Sequence, residues 1–476
     1  VGRSGVRHSG VGSSGVGRSG VGHSGVGSSG VVGSSSVGSA GGVRWPWARR
    51  DVLRAIAGGI ALSLSGTGTG CARRSSDGRV VGSLWFAYGG KNREVLLSLV
   101  EKFHASQGRY RIEPVYQGDY FECLAKLRTA IAARAAPAVT HVVGEVVPYL
   151  AEAGVLEPVS RWLPAAAQDL VPALAQEGTF LGGGERPLVS LPFNRSTPIA
   201  YYNRGVFQSL GLAPPTTWEG LRETAKALVV RRGSETVRWG FGCPVDWWFW
   251  AALVGQAGGN VVEPNGVVSL GGEAGVAALR LWQTLVHEDR TMKPPPGRDY
   301  NAWQATNTDF LAGKLAMIWT STAFLRYLEE NASQAGAGRF EVGAAPLPRG
   351  VRASVPTGGT FFVMPKGAAP EAQEAAAAFL GWMMEPAQAN EWATRTGYLP
   401  VSRAGLGLLE REGFYAAHPN DRVAVDQLAD ASAWPWSKEL FRVQREAVQP
   451  RLEEAVLMPR DAGEALAEAR RAAERP

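Results

Sequence analysis

Six histidines and three cysteines are the first places to look for chemistry in this 476-residue chain. Only His104, His141, His287 and His418 lie outside the N-terminal region, and no two have the close spacing that sets two metal ligands on one helix face. Cys71, Cys123 and Cys243 form no CxxC pair, so neither a zinc site nor a disulfide framework is expected. Cys123 and Cys243 read as buried thiols. The phosphate-cradling GxxxxGK[ST] loop of an ATPase is missing, and so is the GxSxG elbow of a serine hydrolase. Carboxylates are plentiful, but an acid–base pair of the glycosidase kind is defined by separation in space, which the sequence leaves open. The aromatic residues say more. There are sixteen tryptophans, with Trp247, Trp248 and Trp250 clustered. Such rings stack on polyol carbons or hold a quaternary ammonium, and they also fill cores.

The elements that must position these residues alternate from Val80 onward. Val80–Phe86 reads as a buried strand, Gly89-Gly90 as a turn, and Val95, Leu96, Leu99, Val100 and Phe103 recur at helical spacing. Tyr110–Tyr116 is strand-like, Leu124, Leu127 and Ile131 give a second helix, and Ala138–Val143 a third strand. Strand, helix, strand, helix, strand implies a parallel sheet with helices on its faces. The pattern resumes after Asn194 with a strand at Pro198–Tyr202. A helix follows to Leu228, opened by Thr216 and Glu219 in capping-box spacing. Phe310–Ile318 is apolar and leads into a polar turn, Trp319–Thr322, and Asp461–Arg475 is an alanine-rich helix. Two α/β lobes suit this better than one sheet, with a ligand cleft beyond the carboxyl ends of the strands and a hinge between the lobes.

Composition bounds the rest. At 45% hydrophobic and 19% charged, the chain has the make-up of a globular protein. A net charge of +6, partly concentrated near the N-terminus, lacks the dense basic run that a nucleic-acid reader needs. Residues 1–42 repeat Val-Gly-Ser/Arg-Ser-Gly and carry almost no side chains for a core, so a disordered segment is expected, with the natural start near Val43. Residues 43–75 run basic, apolar, small, in the order of an export signal. Arg49-Arg50-Asp51-Val52-Leu53-Arg54 is similar to a twin-arginine signal, and Cys71 is a candidate lipid anchor lacking the usual aliphatic residue before it. No apolar run reaches the ~20 residues of a spanning helix.

Several segments resemble the family 1 extracellular solute-binding proteins of ABC importers, within them the periplasmic binders of sn-glycerol 3-phosphate and glycerophosphodiesters. They are Leu191-Pro-Phe-Asn-Arg-Ser-Thr-Pro-Ile-Ala-Tyr-Tyr-Asn203, Glu391-Trp-Ala-Thr-Arg-Thr-Gly-Tyr-Leu-Pro400, Tyr116-Gln-Gly-Asp-Tyr120, Phe310–Met317, Gly358-Gly359 and Arg411-Glu-Gly-Phe-Tyr415. The likeness runs in order from about Leu84 to the C-terminus. It implies a two-lobed type II periplasmic-binding-protein fold. One lobe would comprise 80–194 plus about 340–384, the other 195–339 plus about 385–470. It further implies a monomer outside the cytoplasm, without cofactor, that delivers its ligand to membrane permease subunits.

The resemblance also implies binding residues. Tyr120 and Tyr398 match phenols that hydrogen-bond the phosphate, and Glu145 the carboxylate that accepts from glycerol hydroxyls. Ser196 and Ser321 match small hydroxyl donors, and Gly359 a backbone N–H brought close to the anion. Trp248 matches a wall on the glycerol side. Arg445 matches a late arginine suited to a two-pronged grip on phosphate, with Arg442 the alternative if the register slips. One departure stands out: Pro244-Val245-Asp246 occupies a stretch where the family carries another tryptophan. Two other readings stay open, a binder of neutral oligosaccharides and a secreted carbohydrate-active enzyme.

Overall fold

The computed structural model describes residues 73–475 apart from 177, 179–186, 298 and 335–337, and of 299 and 300 it describes the backbone only. The repeat at 1–42, expected from the sequence to be disordered, Cys71, and the expected export signal up to residue 72 lie outside the described residues.

Two sheets organise residues 80–475. In the first, Val80–Phe86 pairs in parallel with Tyr110–Tyr116 on one side and Val139–Val143 on the other. The connecting helices are Gly90–Ser106 and Tyr120–Ala132. A late strand, Gly358–Pro365, then inserts antiparallel between Val139–Val143 and Leu156–Glu157, and also pairs with Ser190–Ser196. It is buried on both faces and alternates between them. Phe362 and Met364 join a core with Leu84, Leu99, Phe103 and Phe379, while Phe361 and Val363 join another with Leu127, Val142 and Leu150. Helix Gly90–Ser106 buries Val95, Leu96, Leu99, Val100 and Phe103, the residues whose spacing predicts it.

The second sheet runs Met292–Lys293, Phe241–Gly242, Met317–Ser321, Pro198–Asn203, Val342–Ala345. Pro198–Asn203 is antiparallel to both neighbours. Since Val342–Ala345 belongs here, the chain returns to the first lobe at Gly358 rather than near 340. Helix Pro386–Thr396 sends Trp392 into the first lobe's core, so that lobe extends past 384.

Local expectations meet the structure closely, with two corrections. The helix Trp218–Leu228 is capped by Thr217, whose hydroxyl accepts from the Gly220 N–H, and not by Thr216. The residues of the expected turn after Ile318 instead complete a buried strand through Ser321, because Met317–Ser321 finds a full partner in Pro198–Tyr202. Cys123 and Cys243 are both buried, and burial pushes both thiols up from their ordinary pKa.

At the join between lobes, Ser190–Ser196 carries one residue more than the strand opposite: Pro192 to Arg195 faces Phe361 to Gly359. The bulge brings the backbones together, and Gly359 adopts φ +103°, where a Cβ would run into the Asn194 carbonyl oxygen. Gly359→Ala should therefore cost about 3 kcal/mol of stability. Urea denaturation checks this; wild-type stability in the variant would show that the strand relaxes at no cost.

Candidate functional site

The lobes join along three short segments. Ser196-Thr197-Pro198 passes directly from one sheet to the other. The chain reaching Gly358 returns, and Thr396–Leu399 lies alongside, with the Leu399 N–H donating to the Arg195 carbonyl at 2.8 Å. The Thr322 N–H donates to the Thr197 carbonyl at 3.1 Å, which ties the end of strand Met317–Ser321 to the same place. Thr357 sits at the centre. Its carbonyl accepts from the Trp248 indole at 3.2 Å and the Trp434 indole at 3.1 Å, and its N–H donates to the Ser432 carbonyl at 3.0 Å.

Most of the residues singled out in the sequence stand around this join. Tyr120 is the first residue of its helix, set by the Asp119–Glu122 capping box. Its hydroxyl lies 3.4 Å from that of Tyr398, long for an O–H···O bond. Tyr398 follows left-handed Gly397 and stacks on Trp392 at 5.8 Å and 11°. Ser196 is buried and pairs with Gly358. Ser321 is paired with Pro198, and its hydroxyl accepts from the Ala323 N–H at 3.1 Å. Glu145 is buried in the turn just past the carboxyl end of strand Val139–Val143, two residues beyond Val143, whose partner Thr360 adjoins Gly359.

Trp248 is the second residue of a helix capped by the Asp246 carboxylate and presses against the join: a Cβ on Gly358 would lie 2.7 Å from its ring. The tryptophan cluster therefore divides. Trp247 and Trp250 are core, Trp247 stacked on Trp434 at 5.2 Å, and Trp248 stands at the join. Arg442 is held on its own side by Glu439 at 2.9 Å and the Ala473 carbonyl at 3.1 Å. Arg445, one turn on, places its guanidinium 4.1 Å over the ring of Phe121 in the first lobe. Among the described residues no group of three or more His, Cys, Asp or Glu could hold a metal ion, and no helix is long and apolar enough to cross a membrane.

The family model described as bacterial extracellular solute-binding protein matches residues 98–405. The chain belongs to this family. Among curated relatives, the sn-glycerol-3-phosphate-binding periplasmic protein UgpB of Salmonella typhimurium is 27% identical over 409 residues, covering 82% of this chain and 88% of the relative. Its counterpart in Escherichia coli O1:K1 is 26% identical over 377 residues, 75% and 82% of the two chains. Solved structures share the fold. UgpB from Mycobacterium tuberculosis, in complex with glycerophosphocholine, superposes with a TM-score of 0.71 at 23% identity, covering 83% and 98% of the chains. The GacH receptor of Streptomyces glaucescens, solved unliganded and with acarbose, gives 0.72 at 20%, covering 82% and 97%. The α/β, two-lobed type II architecture expected from the sequence is thus that of the family.

Several residues at this solute-binding protein's join escaped the sequence reading because they come from elements with no motif. Trp303 stacks on Trp248 at 5.6 Å and 29°, and its indole approaches the Asp246 carboxylate at 3.5 Å. Phe324, in the turn that Ser321 caps, lies 6.1 Å beyond Trp303. Only the count of sixteen tryptophans hinted at such a wall. Contacts also bridge the lobes. Phe121 meets Phe441 at 6.0 Å, the Trp436 indole donates to Glu152 at 3.0 Å, and Lys91 pairs with Glu330 at 3.2 Å. Phe441→Ala removes an inter-lobe ring contact of the kind worth about 0.5–1.5 kcal/mol. X-ray scattering of the unliganded variant should show a larger radius of gyration than wild type; matching profiles would mean that the Phe121–Phe441 contact does not hold the lobes together.

Proposed function

We propose that this protein is the substrate-binding component of an ABC importer. It captures sn-glycerol 3-phosphate or glycerophosphodiesters between its lobes and hands them to permease subunits in the membrane, acting as a monomer outside the cytoplasm and without catalysis. The observation that carries the reading is Arg445. Its guanidinium reaches across from the second lobe to Phe121, the residue next to Tyr120, whose hydroxyl meets that of Tyr398. A planar cation brought by the second lobe to the first turn of the helix that carries Tyr120 suits a phosphate that gives up its water as the lobes close. Backbone at Gly359 and the hydroxyls of Ser196 and Ser321 would add donors, with Glu145 and Trp248 on the glycerol side. The names of the curated relatives support the same ligand class.

A neutral oligosaccharide is the second reading, favoured by the paired Trp248 and Trp303 rings, whose apolar faces suit a sugar, and by the acarbose complex of one structural relative. Calorimetry separates the two. Arg445→Ala should weaken glycerol 3-phosphate binding about ten- to a hundredfold, since hydrogen bonds from charged groups contribute roughly 1.5–3 kcal/mol. Arg445→Lys should recover part of the loss, and Arg442→Ala should bind as wild type. Equal affinity in wild type and Arg445→Ala, with maltose binding as tightly as glycerol 3-phosphate, would overturn the phosphate assignment.

A further inference from the structure

Behind the Tyr120–Tyr398 pair lies a set of buried polar atoms with no hydrogen-bond partner: the Tyr88 hydroxyl, His141 Nδ1 and both ends of the Asn194 carboxamide. Buried polar groups are nearly always satisfied, and four unsatisfied atoms in one neighbourhood call for a missing partner. They are neighbours by ring geometry. Tyr88 lies 5.1 Å from His141, and Tyr120 meets His141 edge-on at 5.6 Å. Tyr88 also tilts against Trp392, the ring on which Tyr398 stacks. The Asn194 carboxamide comes close enough to the Tyr88 hydroxyl to pull its pKa down against burial, although the pair falls outside the strict hydrogen-bond geometry. It sits in the strand bulge, beside the backbone that meets Gly359.

All four atoms are neutral. His141 Nε2 accepts from the Ala87 N–H at 3.2 Å, which leaves the proton on Nδ1, and burial holds the imidazole's pKa down to about 3. Burial likewise pushes the Tyr88 phenol well above its usual range. The set therefore offers one imidazole N–H, one hydroxyl and one carboxamide, donors and acceptors together, with no charge to attract a phosphate or an ammonium. That is the chemistry of a site for alcohol oxygens.

We propose that Tyr88, His141 and Asn194 form a neutral subsite behind the tyrosine pair that takes a hydroxyl group of the bound ligand. The Tyr120–Tyr398 contact, already long, then marks the boundary between this subsite and the region of Arg445. The inference rests on the reading of the join as the ligand cleft and adds a hydroxyl-recognition point to it. The test is Tyr88→Phe, which keeps the ring and removes only the hydroxyl, titrated calorimetrically with glycerol 3-phosphate, glycerophosphocholine and maltotriose. Affinity for whichever of these wild type binds most tightly should fall about three- to tenfold, the effect of one neutral hydrogen bond. Asn194→Ala, checked for wild-type circular dichroism, should lose at least as much. If Tyr88→Phe binds within twofold of wild type and melts at a higher temperature, the hydroxyl is a buried liability or holds only water, and the subsite is refuted. Loss of affinity in Tyr88→Phe with maltotriose as the tightest ligand would uphold the subsite while refuting the phosphate reading.

Discussion

Two backbones meet at Gly359 and Asn194 more closely than any side chain at position 359 would allow, and the cleft is arranged around that approach. The extra residue in Ser190–Ser196 and the positive φ of Gly359 bring the chain's outward crossing, Ser196-Thr197-Pro198, beside its return at Gly358. With the crossings fixed, Ser196 and Ser321 end strands at the join, and Glu145 lies in the turn just past the carboxyl end of Val139–Val143, the kind of place where an open α/β architecture binds its ligands. The strand Gly358–Pro365 continues this constraint into the first lobe, since it pairs with three others and contributes to both cores.

The second lobe attaches to the same join through polar contacts made by apolar residues. Trp248 and Trp434 both aim their indole N–H groups at the Thr357 carbonyl, so two large rings are oriented by one oxygen. An indole buried without such a partner gives up a hydrogen bond, whereas here the bond fixes which way each ring faces. Trp248 thereby presents a face on which Trp303 can stack, and Phe324 extends the surface toward Ser321. Beside the stretch Pro244-Val245-Asp246 the wall is completed by a ring contributed by a different helix, Asp299–Leu311.

The alternation of strands and helices before Val143 was legible because each element buries a regular set of residues; the helix at Gly90–Ser106 follows its apolar spacing residue by residue. The strand at Pro198 and the helix at Asp461 were legible for the same reason. What could not be read was pairing. Nothing in Val342–Ala345 distinguishes a strand of the second lobe from one of the first, since four small apolar residues suit either sheet. Trp319–Thr322 looked like a turn because its threonines and serine are polar, yet antiparallel pairing keeps the strand going through Ser321. The residues picked out by family motifs stand near the join, but Trp303, Tyr88 and Asn194 carry no signal of their own. Their roles arise from which rings and strands lie opposite them, and that is fixed only by tertiary packing.

The bridges between the lobes also bear on time. Diffusion brings a solute to an open cleft at a rate that side chains on the rim hardly alter, but departure requires the rim to part. Phe441 against Phe121 and Trp436 on Glu152 join the lobes without belonging to the ligand. How long a captured molecule dwells is then governed in part by residues that never touch it, and a substitution at Trp436 would change the residence time while leaving the on-rate nearly as it was.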